Sequence, residues 1–124
     1  MVNLPVGIAV FLSVSLPALA GTWSGVLVDS KCYAAEERNV NARDTLTDVD
    51  RDRNLEIRYC RPNAHTKSFA VVQQNGLSFL LDSAGNTKAT GIVQTADKKS
   101  HLVVDLTGEM TKELLEVDAI VLVR

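Results

Sequence analysis

Residues 67–82 read K-S-F-A-V-V-Q-Q-N-G-L-S-F-L-L-D and predict the central β-hairpin of this chain. Two apolar segments flank Asn75 and Gly76, a pair typical of a two-residue turn in which both residues have φ > 0. Such a turn fixes the register of the strands. The expected cross-strand pairs are Gln74 with Leu77, Val72 with Phe79, and Ala70 with Leu81. We expect this side of the ribbon to face a core, and the other side, which carries Phe69 and Val71, to be only partly covered.

Residues 1–20 have the composition of a secretory signal peptide. They contain no charged side chain, an apolar run over 8–12, and an A-x-A ending at Ala18 and Ala20 that follows Pro17. The absence of Lys or Arg before the apolar run departs from the usual pattern. An uncleaved anchor and a segment buried in the domain remain alternatives. Cleavage after Ala20 would leave residues 21–124, about 104 residues, which is the size of a single domain.

Composition restricts the functions that this chain can have. The formal net charge is −2, so the basic surface of a dedicated nucleic-acid-binding protein is not expected. There is no second apolar segment long enough to cross a membrane after the first twenty residues. With the signal sequence, these features predict a periplasmic or secreted protein that has no membrane span after signal cleavage.

The two cysteines, Cys32 and Cys60, are expected to form a disulfide, because an even number of cysteines in an exported domain is most simply paired. A zinc site that adds His65 and His101 is the alternative. Neither a C-x-x-C nor an H-x-x-x-H spacing is present to support it.

Periodicity along the mature chain predicts an all-β domain with five strands. The first strand, over residues 22–30, contains Gly25 at a point where the alternation slips, which suggests a bulge or a tight bend. A charged insertion, residues 39–56, then precedes the hairpin and shows no strong element of its own. A short helix over 87–96 and strands over 101–107 and 115–123 follow. We therefore expect a small five-stranded OB-like barrel with a short helix between strands three and four.

The chain resembles a group of small exported bacterial domains of the acidobacterial type. These domains begin G-x-[IL]-x-D-S-x-C, as residues 25–32 do here, and their hairpin ends in L-D, as at Leu81 and Asp82. They close with a V-x-V-x-G … V-x-x-I pattern, which residues 104–108 and 117–120 match in part. The group has no characterised function, so the resemblance implies export and an OB-like shape but no activity or catalytic residue.

Alternating acids at Asp48, Asp50 and Asp52 are the sharpest local pattern that could bind a metal. Oxygen ligands at every second position are typical of calcium loops. Arg53 stands where such a loop needs glycine, and Tyr59 stands where it needs an acid. We therefore expect a solvated charged loop and no cofactor, with calcium as the alternative.

Ligand contacts are expected near the disulfide, where aromatic and basic side chains cluster. The candidates are Tyr33, Tyr59, Arg58 and Arg61. Trp23 and Phe69 are expected in the core. No G-x-S-x-G motif is present, and His65 and His101 lie in no recognisable catalytic setting.

These features favour a non-enzymatic periplasmic or secreted binding or accessory module with an unknown envelope ligand or protein partner. Two alternatives stay open. One is a structural or interaction domain of the cell envelope that uses residues 39–56 as its contact surface. The other is a small hydrolase.

Overall fold

The computed structural model describes residues 20–37, 46–97 and 101–123, with only the backbone given for residues 20 and 46–50. The strands are β1 (Ala20–Asp29), β2 (Phe69–Val72), β3 (Ser78–Leu81), β4 (Val103–Thr111) and β5 (Leu114–Leu122). The helices are α1 (Ser30–Glu37), α2 (Leu46–Tyr59) and α3 (Ser83–Thr95).

The five strands form one sheet that closes on itself in the order β1-β2-β3-β5-β4. Every neighbouring pair is antiparallel except β3 and β5, which run parallel. The predicted five-stranded sheet and the helix between the third and fourth strands are therefore present. The all-β description fits only in part, because α1 and α2 fill the connection between β1 and β2.

The predicted hairpin forms, but its turn and register differ from the prediction. The observed pairs are Ala70 with Leu80, Val71 with Phe79, and Val72 with Ser78, one residue away from the expected register. Among the described non-glycine residues only Lys112 has positive φ, so Asn75 does not have the conformation that the two-residue turn requires. Of the two turn residues, only Gly76 has a positive φ, at 93°. The N–H of Gln73 donates a hydrogen bond to the carbonyl of Leu77. The loop therefore contains three residues, of which the last is left-handed, a common alternative for this sequence.

The change of register reverses the predicted faces of β2. Phe69 and Val71 are fully buried in the main core inside the closed sheet, where they lie beside Leu81. Ala70 and Val72 are also buried, but in a smaller cluster outside the sheet with Tyr33, Ile57 and Cys60. The expectation that the Phe69 side would be only partly covered was wrong. Both faces of β2 are covered, one by the core and the other by the helices and the disulfide.

Two residues of the motif at residues 25–32, Gly25 and Asp29, have a clear structural role. A Cβ on Gly25 would lie 2.4 Å from the carbonyl oxygen of Val72, so β1 and β2 approach too closely for a side chain. Gly25 pairs with Val104 of β4 without a shift of register, so there is no bulge at this position. The glycine instead allows β1 and β2 to approach each other closely. The Asp29 carboxylate accepts bonds from the backbone N–H groups of Lys31 and Cys32, both at 3.1 Å, and thereby caps α1.

The last strand contains the bulge that the sequence pattern conceals. Thr107 pairs with Ala119, but Gly108 pairs with Val117, so one extra residue, Asp118, is inserted into β5. Before the bulge Leu115 and Val117 point into the core, and after it Ile120 and Leu122 do so. Strict alternation along residues 115–123 would keep one set of side chains facing the core, and beyond residue 117 the structure departs from it.

Part of the predicted charged insertion is helical. Helix α2 covers Leu46–Tyr59, although residues 39–56 showed no strong element in the sequence. Ile57 and the following Cys60 are buried against the outer cluster, and this tertiary packing, more than helical propensity, stabilises the helix. Residues 39–45 of the insertion lie outside the described residues.

Helix α3 begins at Ser83, four residues before the predicted start at residue 87. The Asp82 carboxylate accepts a bond of 2.8 Å from the N–H of Gly85 and one of 3.2 Å from the N–H of Val117. It therefore caps α3 and ties the helix to β5. Residues 83–86, which precede the predicted helix, form its first turn.

Candidate functional site

A groove with a volume of about 670 Å³ lies on the outer face of the hairpin. Helix α1 forms one wall, the outer face of β2 and β3 forms the floor, and the turn between β4 and β5 forms the other wall. The side chains that line it are contributed by α1 (Tyr33, Ala34, Glu37), β3 (Ser78, Phe79, Leu80) and the β4–β5 turn region (Met110, Lys112, Glu113), together with Ser30 and Ala70. Leu80 is 46% exposed here, so the floor presents apolar surface to water.

The groove is open because β3 and β5 are paired over a short distance. Only Leu80 with Leu114 and Leu81 with Leu115 are partners. Ser78 lies on the part of β3 that runs past the start of β5. The closed sheet is therefore incomplete at this point, next to the tight turn at Lys112, whose φ is 53°.

Two carboxyl groups meet at the end of the groove. The Glu56 side chain on α2 lies within hydrogen-bonding reach of that of Glu37 on α1. Burial, hydrogen bonding to Glu37 and the negative charges of Glu37, Glu36 and Asp52 raise the pKa of Glu56 from 4.5 to about 7. One oxygen of Glu56 is buried without a hydrogen-bond partner. Glu56 is therefore partly protonated near neutral pH, and its protonation state changes there.

The disulfide explains why these two carboxyl groups are close. Cys32 and Cys60 are bonded, with their Cα atoms 5.5 Å apart, as predicted. Glu37 lies five residues after Cys32 on α1, and Glu56 lies four residues before Cys60 on α2. Each acid is thus about one helical turn from the bridge. The sequence contained this signal, but it could be read only once both segments were known to be helical.

Tyr33 lies between the outer cluster and the groove. Only 3% of its surface is exposed. Burial, with the charges of Glu37 and Glu56, raises the pKa of its phenol to about 12, although Arg53 acts in the opposite direction. The phenol therefore remains protonated near neutral pH.

The four predicted contact residues are not brought together. Tyr33 lines the groove, whereas Tyr59 is 75% exposed on α2. Arg58 lines a separate small pocket with Val26 and His101. Arg61 donates to the carbonyl of Asp97 at 2.7 Å. Of these four residues, only Tyr33 can contact a molecule in the groove from where it lies.

The two metal sites considered from the sequence were a zinc site at the cysteines and histidines and a calcium loop at Asp48, Asp50 and Asp52. Among the described residues, no group of three or more His, Cys, Asp or Glu side chains is placed to hold a metal ion. Asp48, Asp50 and Asp52 lie in the helical segment α2. The side chains of Asp48 and Asp50 lie outside the described residues.

Neither of the histidines considered for a hydrolase lines the groove. The two histidines, His65 and His101, are both exposed and belong to different parts of the chain.

Comparison with known proteins does not assign the chain to a family. No family model matches the sequence, and no curated protein or solved structure shows significant similarity to it. Within the described parts of the chain, the helices are too short and too polar to cross a membrane.

Proposed function

We propose that this protein is a non-enzymatic binding module whose ligand lies in the groove between α1, β3 and the β4–β5 turn. The observation that carries the proposal is the position of the groove. In OB-type barrels the ligand surface is the face of strands two and three, flanked by the loop between strands one and two and the loop between strands four and five. The groove here is lined by the same three elements.

The OB-like assignment rests on topology. The closed strand order β1-β2-β3-β5-β4, with a helix between β3 and β4, is that expected for an OB-type barrel. The connection between β1 and β2 carries α1, α2 and the disulfide. This enlarged connection supplies one wall of the groove and gives it a rigid, cross-linked base.

We place the module in the periplasm or outside the cell. The composition of residues 1–20 supports export, and so does the disulfide, because structural disulfides persist mainly in oxidising compartments. A cross-linked wall suits a binding site that has to keep its shape outside the cytoplasm. The ligand would accordingly be a component of the cell envelope or its surroundings.

A thermal-shift panel with a blocking variant tests this function. A ligand that binds only the folded protein stabilises it by about 2.7 kcal/mol at one hundred times its dissociation constant. The panel would contain chitotetraose, muramyl peptides, a thymidine octanucleotide and blocked peptides of mixed charge. Leu80→Arg fills the groove and should abolish any shift. The matched control is Val121→Arg, at a residue 62% exposed on β5, which should leave the shift unchanged. Equal shifts in the two variants would contradict the proposal.

A second function is favoured by the outer surface of α2. Leu55 and Tyr59 lie one helical turn apart and are 50% and 75% exposed. Such a pair on a charged helix would suit a contact with an envelope protein, as proposed for the insertion. The double variant Leu55→Glu and Tyr59→Glu should then abolish co-purification of a crosslinked partner while the melting temperature stays nearly the same. Unchanged co-purification would exclude this function.

A further inference from the structure

We propose that the ligand of the groove is an extended polypeptide segment in which apolar and basic side chains alternate. This inference rests on the proposed binding function and names the class of its ligand. Three properties of the groove support it: a free segment of strand edge, an apolar floor, and an excess of carboxylates along the walls.

The free strand edge is at Ser78. The bond from the N–H of Gln73 to the carbonyl of Leu77, 2.8 Å long, makes residues 73 and 77 a hydrogen-bonded pair. Such pairs alternate along an antiparallel ladder, so the N–H and the carbonyl of Ser78 point away from β2. On that side, the described pairing with β5 includes only Leu80 and Leu81. Ser78 therefore presents a backbone donor and an acceptor at the groove, as the edge strands that bind extended peptides do.

The apolar floor lies beside this edge. The side chains of Ser78 and Leu80 share the outer face of the hairpin with Ala70, and Ala34 of α1 closes the wall above them. A bound strand places every second side chain on one face. Aliphatic side chains of the ligand can therefore bury the exposed part of Leu80 while the backbone bonds at Ser78 form.

The charge of the walls favours a basic ligand. Glu37 on α1 and Glu113 on the turn line opposite sides of the groove, whereas Lys112 is the one basic side chain among its described lining residues. Beyond Glu37, the adjoining small pocket contains Asp52 and Glu56 with Arg53. Carboxylates on both sides attract a cationic segment and repel an acidic one.

Other ligand classes fit this surface less well. Proteins that bind sugars or single-stranded nucleic acids use exposed aromatic rings, and nucleic acids also need basic side chains. In the groove Tyr33 is buried and Phe79 packs against the main core. Lys112 alone does not offset the two carboxylates. A polypeptide recognised through its backbone can use the free N–H and carbonyl of Ser78, the apolar surface of Leu80 and the carboxylates of the walls.

Binding of defined peptides to the purified oxidised protein tests the inference. The probes are blocked hexapeptides in which valine, leucine or phenylalanine alternates with lysine, each carrying a neutral fluorophore for anisotropy. We expect saturable binding that Leu80→Arg weakens by about tenfold or more and Val121→Arg does not, because only the former blocks the buried centre of the contact. Methylation of alternate backbone nitrogens should weaken binding when it removes the amides that face Ser78. Replacing lysine by glutamate in the probe should abolish binding.

The possible failures are distinguishable. The peptide inference is wrong if no hexapeptide binds. It is also wrong if neither Leu80→Arg nor backbone methylation changes the affinity. If chitotetraose or the thymidine octanucleotide binds instead, and Leu80→Arg abolishes that binding, the groove is a binding site for another ligand class. In that case the proposed function stands and only this inference fails.

Discussion

Replacement of Glu56 by Gln should stabilise the protein at alkaline pH. Because the pKa of Glu56 is raised from 4.5 to about 7, the folded state disfavours its ionisation. The stability contributed by its protonated form is fully present below about pH 4.5 and is lost as the pH rises through about 7. The amide of the variant would not ionise and would retain a hydrogen bond to Glu37, so this loss should disappear.

The magnitude follows from the size of the pKa change and from the exposure of the site. Fully expressed, a rise from 4.5 to about 7 corresponds to at most about 3 kcal/mol. Glu37 is exposed and water screens the pair, so we expect about 1–2 kcal/mol of stabilisation at pH 8. For a domain of this size that is a rise in melting temperature of about 5–10 °C.

The assay is urea denaturation of the wild type and Glu56→Gln at pH values from 4 to 8.5. The free energies of unfolding should agree near pH 4 and diverge as the pH rises. Glu113→Gln, at an exposed acid on the β4–β5 turn, is the matched control and should follow the wild type. Parallel curves for wild type and Glu56→Gln, or a less stable variant at pH 8, would refute the reasoning.

Four further predictions concern stability. Gly76→Ala should cost about 1–3 kcal/mol in denaturant titrations, because its φ is 93°, a backbone conformation that strains alanine. Gly91→Ala is the matched control, at an exposed position of α3 with open space around it, and should instead stabilise the protein by about 0.5–1 kcal/mol. If Gly91→Ala destabilised the protein as much as Gly76→Ala, the loss at Gly76 could not be assigned to the turn geometry. Replacing both Cys32 and Cys60 by Ser should lower the free energy of unfolding by about 3–4 kcal/mol, since the bridge closes a loop with a sequence separation of 28; an unchanged melting curve would contradict this. Asp82→Ala should cost about 1–2 kcal/mol in the same titration, because its carboxylate caps α3 and bonds to β5, whereas a neutral effect would show that water replaces it.

The sequence was most informative where a local pattern has one physical solution. The strands, the helix before β4 and the disulfide followed from periodicity and from the pairing of two cysteines. Asp29 is of a residue type favoured at helix N-termini, and it caps α1. At such positions, local preference and tertiary packing favour the same structure.

The sequence misled where tertiary packing selects between local alternatives. Asn75 and Gly76 are compatible with a two-residue or a three-residue loop, and only packing of Phe69 inside the sheet favours the latter. The bulge at Asp118 changes which side chains of β5 face inward, and the apolar pattern was compatible with either face. Helix α2 depends on its packing and on the disulfide, so its polar composition concealed it.

The candidate site was the least predictable feature, because its parts are distant in the sequence. Helix α1, strand β3 and the β4–β5 turn meet only after the sheet closes. Tyr33 was expected near a ligand and does line the groove, but the basic residues expected with it lie elsewhere. Proximity to the disulfide in sequence therefore did not identify the surface.

Chemical-shift mapping of ¹⁵N-labelled protein during titration with the valine–lysine hexapeptide would locate the binding surface directly. We predict that the largest backbone changes fall on Ser78, Leu80, Ala34 and Lys112, with the amide of Ser78 shifting as it gains a hydrogen-bond partner. Changes centred on Leu55 and Tyr59 of α2, or no changes at saturating peptide, would contradict a binding groove for polypeptide on the hairpin.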